Sequence, residues 1–248
     1  MCVSVWIAHL EDLMDIRTAS RCSAAASLVV GSLALALPVS YYDGDQPGAT
    51  QLREAAAHAG MAKFGNALLA LQILVVPAMI YVARLARGRA PRLAFVGGGL
   101  AALGWLAGLM GIGTAGIVVY QATTLPDQAA AATLIDKMAA DPAFGLLTGV
   151  FVLGHVLGMI ILGAALWRSH AVPTWAAILF TLVPVGHLVG HFASRALDVA
   201  DGYALVLACA VCAVAVLRRP NDDWDLPAGR PARQVVPEPA RTAATLAN

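Results

Sequence analysis

Six apolar runs alternate with polar connections along the chain, at residues 23–42, 66–83, 93–120, 144–167, 172–192 and 199–217. A bilayer core about 30 Å thick takes about 20 apolar residues in a helix, so each run predicts a transmembrane helix. The third is long enough to tilt or to extend past the hydrocarbon. Pro38, Pro77 and Pro184 predict kinks in the first, second and fifth. Residues 50–58 read as a short helix with Thr50 as its N-cap. Residues 126–140 read as a surface helix, with Pro126 near its first turn and Asp141-Pro142 ending it. Both short helices would lie across the outer mouth of a bundle.

Loop charge sets the orientation. Arg84, Arg87, Arg89 and Arg92 follow the second run, Arg168 follows the fourth, and Arg218 and Arg219 follow the sixth. By the positive-inside rule these ends face the cytoplasm. The other connections are acidic or mixed: Asp43, Asp45, Arg53 and Glu54; Asp127, Asp136, Lys137 and Asp141; Arg195, Asp198 and Asp201. The alternation predicts an all-α fold: a polytopic membrane bundle of six transmembrane helices with N and C termini cytoplasmic. Residues 1–22 form an N-terminal cytoplasmic or interfacial segment, 23–217 the transmembrane domain, and 218–248 a disordered cytoplasmic tail. That tail has five prolines and no apolar periodicity.

Composition sharpens the class. The 248 residues are 59% hydrophobic and 12% charged, whereas soluble domains average about 45–50% and about 25%. The net charge of +1 gives no reason to propose a nucleic-acid partner; the bilayer is the partner expected. Lys63 and Lys137 are the only lysines against many arginines and alanines, a bias that points to a GC-rich bacterium and so to its cytoplasmic membrane. The four cysteines form no disulfide framework, and Cys209-x-x-Cys212 falls mid-run, where small cysteines pack well. Two N-terminal alternatives stand beside this reading. Arg17 and Arg21 before an apolar run, with Ala34-Leu35-Ala36, resemble a signal and its cleavage site. Trp6, Leu10, Leu13 and Met14 follow an interfacial helical spacing, or Met14 is the true start.

One phrase occurs twice: Gly154-His155-Val156-Leu157-Gly158 and Gly186-His187-Leu188-Val189-Gly190. Gly-x-x-x-Gly is a close-packing frame in membranes, and a histidine in hydrocarbon is costly. His155 lies thirteen residues before Arg168 and His187 fourteen after Pro173. At 1.5 Å per residue both are about 20 Å from the cytoplasmic turn, level with each other in the outer half of the membrane. Gly154, Gly158, Gly186 and Gly190 are the expected helix-packing residues, facing one another across the hairpin. The histidines either bond a carbonyl or hydroxyl as structural groups, or line a polar cavity open to the outside as a proton relay or as metal ligands.

No catalytic set stands out, and no cofactor is expected. Sharing a haem between His155 and His187 would force apart helices that the glycines draw together. No metal site is expected either; His155, His187 and His191 are the span-borne donors available to one, with His58, Glu54, Asp198 or Asp201 completing it. The polar residues within the runs (Asn66, Gln72, Thr114, Thr148 and Thr181, with Gln121 near an end) are uncharged. The acids sit in the connections, which argues against ion-coupled transport. The third run is rich in glycine, as suits a central helix packed closely by others or one that flexes near residues 111–116.

The stretch from Ala164 through Leu166-Trp167-Arg168-Ser169 and Val172-Pro173-Thr174-Trp175-Ala176 to Ala177 resembles a group of uncharacterised actinobacterial six-span membrane proteins. Arg92-Leu93-Ala94-Phe95-Val96-Gly97 is similar to the start of their third span. The resemblance implies the six-span layout and no activity. The function expected is that of an integral membrane protein, a small-solute permease or an accessory subunit with an outward-facing histidine pocket. The alternative is a membrane-embedded metal- or haem-dependent enzyme or redox protein using the same histidines.

Overall fold

The computed structural model describes residues 16–39 and 46–225, apart from the side chains of Val39, His191, Phe192, Ala193, Arg195, Asp222 and Asp225. Expectations for Cys2, for Trp6 to Met14, for Tyr41 to Asp45 and for residues 226–248 lie outside the described residues. Every regular element within them is helical. Helix α1 is Ile16–Val39, α2 Gly48–Ala57, α3 Ala59–Gln72 and α4 Val75–Ala86. Helix α5, Pro91–Gly108, runs through a π-helical segment, Leu109–Gly113, into α6, Thr114–Ala122. Then come α7 Gln128–Ala139, α8 Pro142–Ser169, α9 Thr174–Ala193, α10 Arg195–Leu217 and α11 Asn221–Asp225.

Five stretches are long and apolar enough to cross a membrane: Ile16–Pro38, Ala59–Ala86, Pro91–Ala122, Pro142–Ser169 and Ala196–Leu217. The expected fifth run is a shorter apolar helix, Thr174–Gly190. The helix itself, α9, continues to Ala193, and α10 starts at once at Arg195. Consecutive apolar helices pack on each other and α10 returns to α1, so the chain runs once round the bundle. Phe95, Leu103, Leu153 and Leu207 all point outward. Such faces match lipid tails, which leaves close packing to hold the helices together.

The expected kinks divide. Pro77 breaks the second apolar stretch at a turn between Gln72 and Val75, because a proline there supplies no N–H to the Ile73 carbonyl and crowds it. Leu74 and Val76 instead donate to the carbonyls of Leu71 and Ile73 at 3.1 and 3.2 Å. Gly31 of α1 presses on the break, where a Cβ would lie 2.8 Å from the Val75 nitrogen. Gln72 Nε2 donates to the Ala34 carbonyl at 3.0 Å. Pro38 and Pro184 sit inside continuous helices.

The two short connecting helices pack on each other. Leu52 and Ala55 of α2 meet Ala131, Ala132 and Ile135 of α7, with Val119 and Ala122 of α6, in a small second core. Helix α2 starts before Thr50, and its first N–H, on Gly48, donates to Asp136 Oδ1 at 2.8 Å. A carboxylate at a helix N-terminus satisfies an orphan donor and opposes the positive end of the dipole. Helix α7 is capped by Asp127, which accepts from the Ala130 N–H at 2.9 Å, and α8 by Asp141, which accepts from Ala143 at 2.8 Å.

At the opposite end the chain between α8 and α9 turns at His170, whose φ of 52° is left-handed. The Ala171 N–H reaches back to the Leu166 carbonyl at 3.4 Å, the six-to-one bond of a glycine-favouring helix stop. His170 is exposed, so its side chain brings no packing to offset the strain. His170→Gly is therefore expected to stabilise by about 0.5–1 kcal/mol, read as a small rise in melting temperature in detergent. An unchanged or lower melting temperature would show that the turn is not strained.

Two segment boundaries move. Residues 16–22, assigned above to the N-terminal segment, already belong to α1. The tail assigned to 218–248 begins with a turn and α11, and Trp224 is only 1% exposed. The sequence hides this because one tryptophan among prolines and acids makes no periodic pattern. Its indole donates to Ser20 Oγ at 3.1 Å and lies under the Arg84 guanidinium at 4.5 Å. Arg84 and Arg87 both donate to its carbonyl at 3.0 Å. Arg219 donates to the Leu85 carbonyl at 2.7 Å, and Arg21 to the carbonyls of Leu217 and Arg219. Burial pulls Arg219 below the usual guanidinium value, with Asp223 opposing the shift.

Candidate functional site

Helix α8 carries His155 three turns from its N-terminus, on a buried stripe with Phe151, Gly154, Gly158 and Leu162. The imidazole is 3% exposed. Its Nδ1 lies 2.7 Å from the Phe151 carbonyl. A carbonyl only accepts, so Nδ1 carries the proton and Nε2 the lone pair. The ring stacks on Phe151 at 4.3 Å and 17°, with the Trp105 ring at 5.3 Å. Neither His155 Nε2 nor Trp105 Nε1 has a hydrogen-bond partner among the described residues.

His187, on α9, meets His155 edge to face, with ring centroids 6.0 Å apart. The two histidines predicted to be level are thus neighbours. His187 Nδ1 lies 2.7 Å from Asp198 Oδ1 on α10, the two side chains being 35% and 16% exposed. A carboxylate at Nδ1 fixes the tautomer and makes Nε2 the basic nitrogen. Asp201 follows one turn later on the same face, and its carboxylate covers Gly186.

This corrects the expectation that acids stay in the connections. Helix α10 starts at Arg195, four residues before the apolar run, and so carries Asp198 and Asp201 as helical residues. Their spacing was the available signal. Asp198 and Asp201 continue the buried stripe of Leu205, Ala208, Cys209, Cys212 and Val216 back toward the helix start. A window of hydropathy sees two charges and ends the run; a helical wheel sees one face.

The glycines do pack closely, though not against each other. A Cβ on Gly154 would lie 2.7 Å from Gly104 Cα, and one on Gly158 2.6 Å from Ala101 Cα, both on α5. A Cβ on Gly190 would lie 2.7 Å from the Asp198 nitrogen, and one on Gly186 would meet the Asp201 carboxylate. The phrase is repeated, but each copy seats a different helix: α5 against α8 and α10 against α9. Helices α8 and α9 approach instead at Gly163, where a Cβ would lie 3.0 Å from Thr181 Cα. The tightness between His155 and His187 that spoke against a shared haem is therefore supplied by rings and carboxylates rather than by glycine.

The other polar candidates have local explanations. Thr148 and Thr181 donate to carbonyls one turn back at 3.0 and 2.9 Å, and Thr114 to Gly111 at 3.0 Å. His58 is exposed at the α2–α3 junction. Cys209 and Cys212 are free and buried. Among the described residues no group of three or more His, Cys, Asp or Glu is placed to hold a metal ion. The side chain of His191, the third weak donor, lies outside them. Trp105 and Phe151, which enclose His155, were not singled out from the sequence. Gly104 and Gly154 beside them are the signal, since a glycine pair marks where neighbouring side chains from two helices must meet.

No protein-family model matches the chain, and neither a curated protein nor a solved structure matches it.

Proposed function

We propose that this chain is a six-span protein of a bacterial cytoplasmic membrane, with α9 as the fifth span and both termini inside. It acts as a small-solute permease whose polar pocket opens to the outer side at His155 and His187. The observation that carries this reading is the His187–Asp198 pair, two half-buried ionisable side chains at 2.7 Å on neighbouring apolar helices. Ionisable groups within membrane helices are costly and mark pathways for ions or solutes. Arginine at one end and acids at the other support the orientation. Trp167 and Trp175, both more than half exposed at the α8–α9 hairpin, suit interfacial anchors. The resemblance of that hairpin to actinobacterial six-span proteins supports the layout and adds no chemistry.

The test is His187→Cys in a background with Cys2 and Cys22 replaced. A membrane-impermeant thiol reagent added outside intact cells should label it. Labelling from the cytoplasmic side alone, or none in a normally folded variant, would overturn the pocket. A Soret band or stoichiometric zinc, lost in His155→Ala and His187→Ala, would establish the metal or haem reading instead.

A further inference from the structure

Packing does not explain His155. Its Nε2 is a buried acceptor without a partner among the described residues, and burying such an atom unbonded is costly. A leucine there would pack on Trp105 and Phe151 without that cost. What the imidazole offers is a nitrogen lone pair in a dry place, beside a second imidazole that is more exposed. Two imidazoles joined by one N–H···N bond have centroids about 5 Å apart. At 6.0 Å, a small ring rotation or one bridging water joins His155 to His187.

Among the described side chains the charges around the pair are one-sided. Helix α10 faces it with Asp198 and Asp201, and α9 contributes His187 itself. On α8 and α5 the neighbours at this level are the uncharged Phe151 and Trp105. Two carboxylates can balance positive charge on the pair, which favours a cation, and the unpartnered lone pair of His155 Nε2 favours the smallest one.

Resting on the pocket reading above, we propose that His187 and His155 are the outer and inner stations of a proton-loading pair that couples the solute path to protons. A proton from the outer water adds to His187 Nε2, and the Asp198 carboxylate balances the imidazolium. The N–H bond at His187 Nε2 then breaks as one forms at His155 Nε2, whose Nδ1–H stays on the Phe151 carbonyl. One proton is gained, His187 returns to neutral, and no electron moves. The π-helical segment beside the site gives this loading a mechanical outlet. Gly108, the residue before it, packs on the Phe151 ring, and π segments inside α-helices often mark functional sites.

The experiment is solid-state nitrogen NMR of full-length, histidine-labelled protein in phosphatidylethanolamine–phosphatidylglycerol vesicles. At pH 8 His155 should be the Nδ1–H tautomer; on acidification one imidazolium should appear, shared by the two rings. His187→Gln should slow proton exchange at His155 about tenfold or more with melting unchanged. Asp198→Asn, which removes the balancing charge, should give less than half the wild-type imidazolium, and it carries the comparison if the glutamine variant does not fold. Rings that stay neutral down to the lowest pH at which the protein is folded, or exchange at His155 indifferent to both variants, overturn the pair. Either result together with outside labelling of His187→Cys removes the relay and leaves the pocket; failure of the labelling removes both.

Discussion

Gly158→Val should cost about 3 kcal/mol or more and collapse the yield of folded protein. The side chain has nowhere to go: a Cβ at Gly158 already lies 2.6 Å from Ala101 Cα and 2.9 Å from Ala101 Cβ. Backbone on a facing helix cannot rotate aside as a side chain would, so α5 and α8 must separate. They pack along most of their length, and the separation spreads. Gly97 lies where a Cβ would be 2.8 Å from the Leu162 nitrogen, and Gly104 where it would be 2.6 Å from the Gly154 carbonyl carbon. Lipid does not drive the helices back together, since it solvates their apolar faces as well as a neighbour does. Gly149→Ala on the same helix is the control, because nothing lies within 4 Å of a Cβ there. It should be neutral or stabilise by up to about 1 kcal/mol, through the lost backbone freedom of glycine. The check is thermal melting and monodisperse yield in detergent; equal behaviour of the two variants would mean that the α5–α8 crossing is not tight.

The same crossing shows what could be read from the chain. The Gly-x-x-x-Gly frames and the glycine-rich third run were visible, and each announces close approach. Which frame meets which helix was not, because a frame states how near a partner comes and nothing about its identity. The nearest helix in sequence was the wrong guess for Gly154 and Gly158, whose partners are Ala101 and Gly104 on α5. Depth was legible: counting from Arg168 and Pro173 put His155 and His187 level, and their rings meet. The carboxylate beside them was not, since a hydropathy window closes on a charge whichever way it faces. Asp198 and Asp201 needed the helical phase of α10, which Leu205, Ala208 and Cys212 carry. The docked tail had no pattern to read. A five-residue helix buries one face through a single side chain, and one side chain has no period.

Trp224→Ala tests that docking. Truncating a buried tryptophan costs about 3–5 kcal/mol in a closed core. Here the segment ends a helix bundle and can detach, so the loss is limited to what docking contributes, and about 3 kcal/mol is expected. The contacts fail together. Without the indole, Ser20 loses its donor and Arg84 its ring, and the carbonyl that accepts from both Arg84 and Arg87 moves away with the backbone. Two guanidinium groups then seek water or lipid phosphate in place of that carbonyl. The amino-terminal turns of α1 loosen as well, since Asn221 Nδ2 reaches Thr18 Oγ1 at 3.3 Å and Trp224 reaches Ser20. With the carboxyl terminus inside, as proposed, trypsin added to inverted vesicles should then cut after Arg218, in a turn that the docked α11 holds in place in the wild type. Trp224→Phe keeps a ring under Arg84 while losing the indole N–H, and should fall between the two. Wild-type melting and protease resistance in the alanine variant would show that α11 rests on the bundle without holding it.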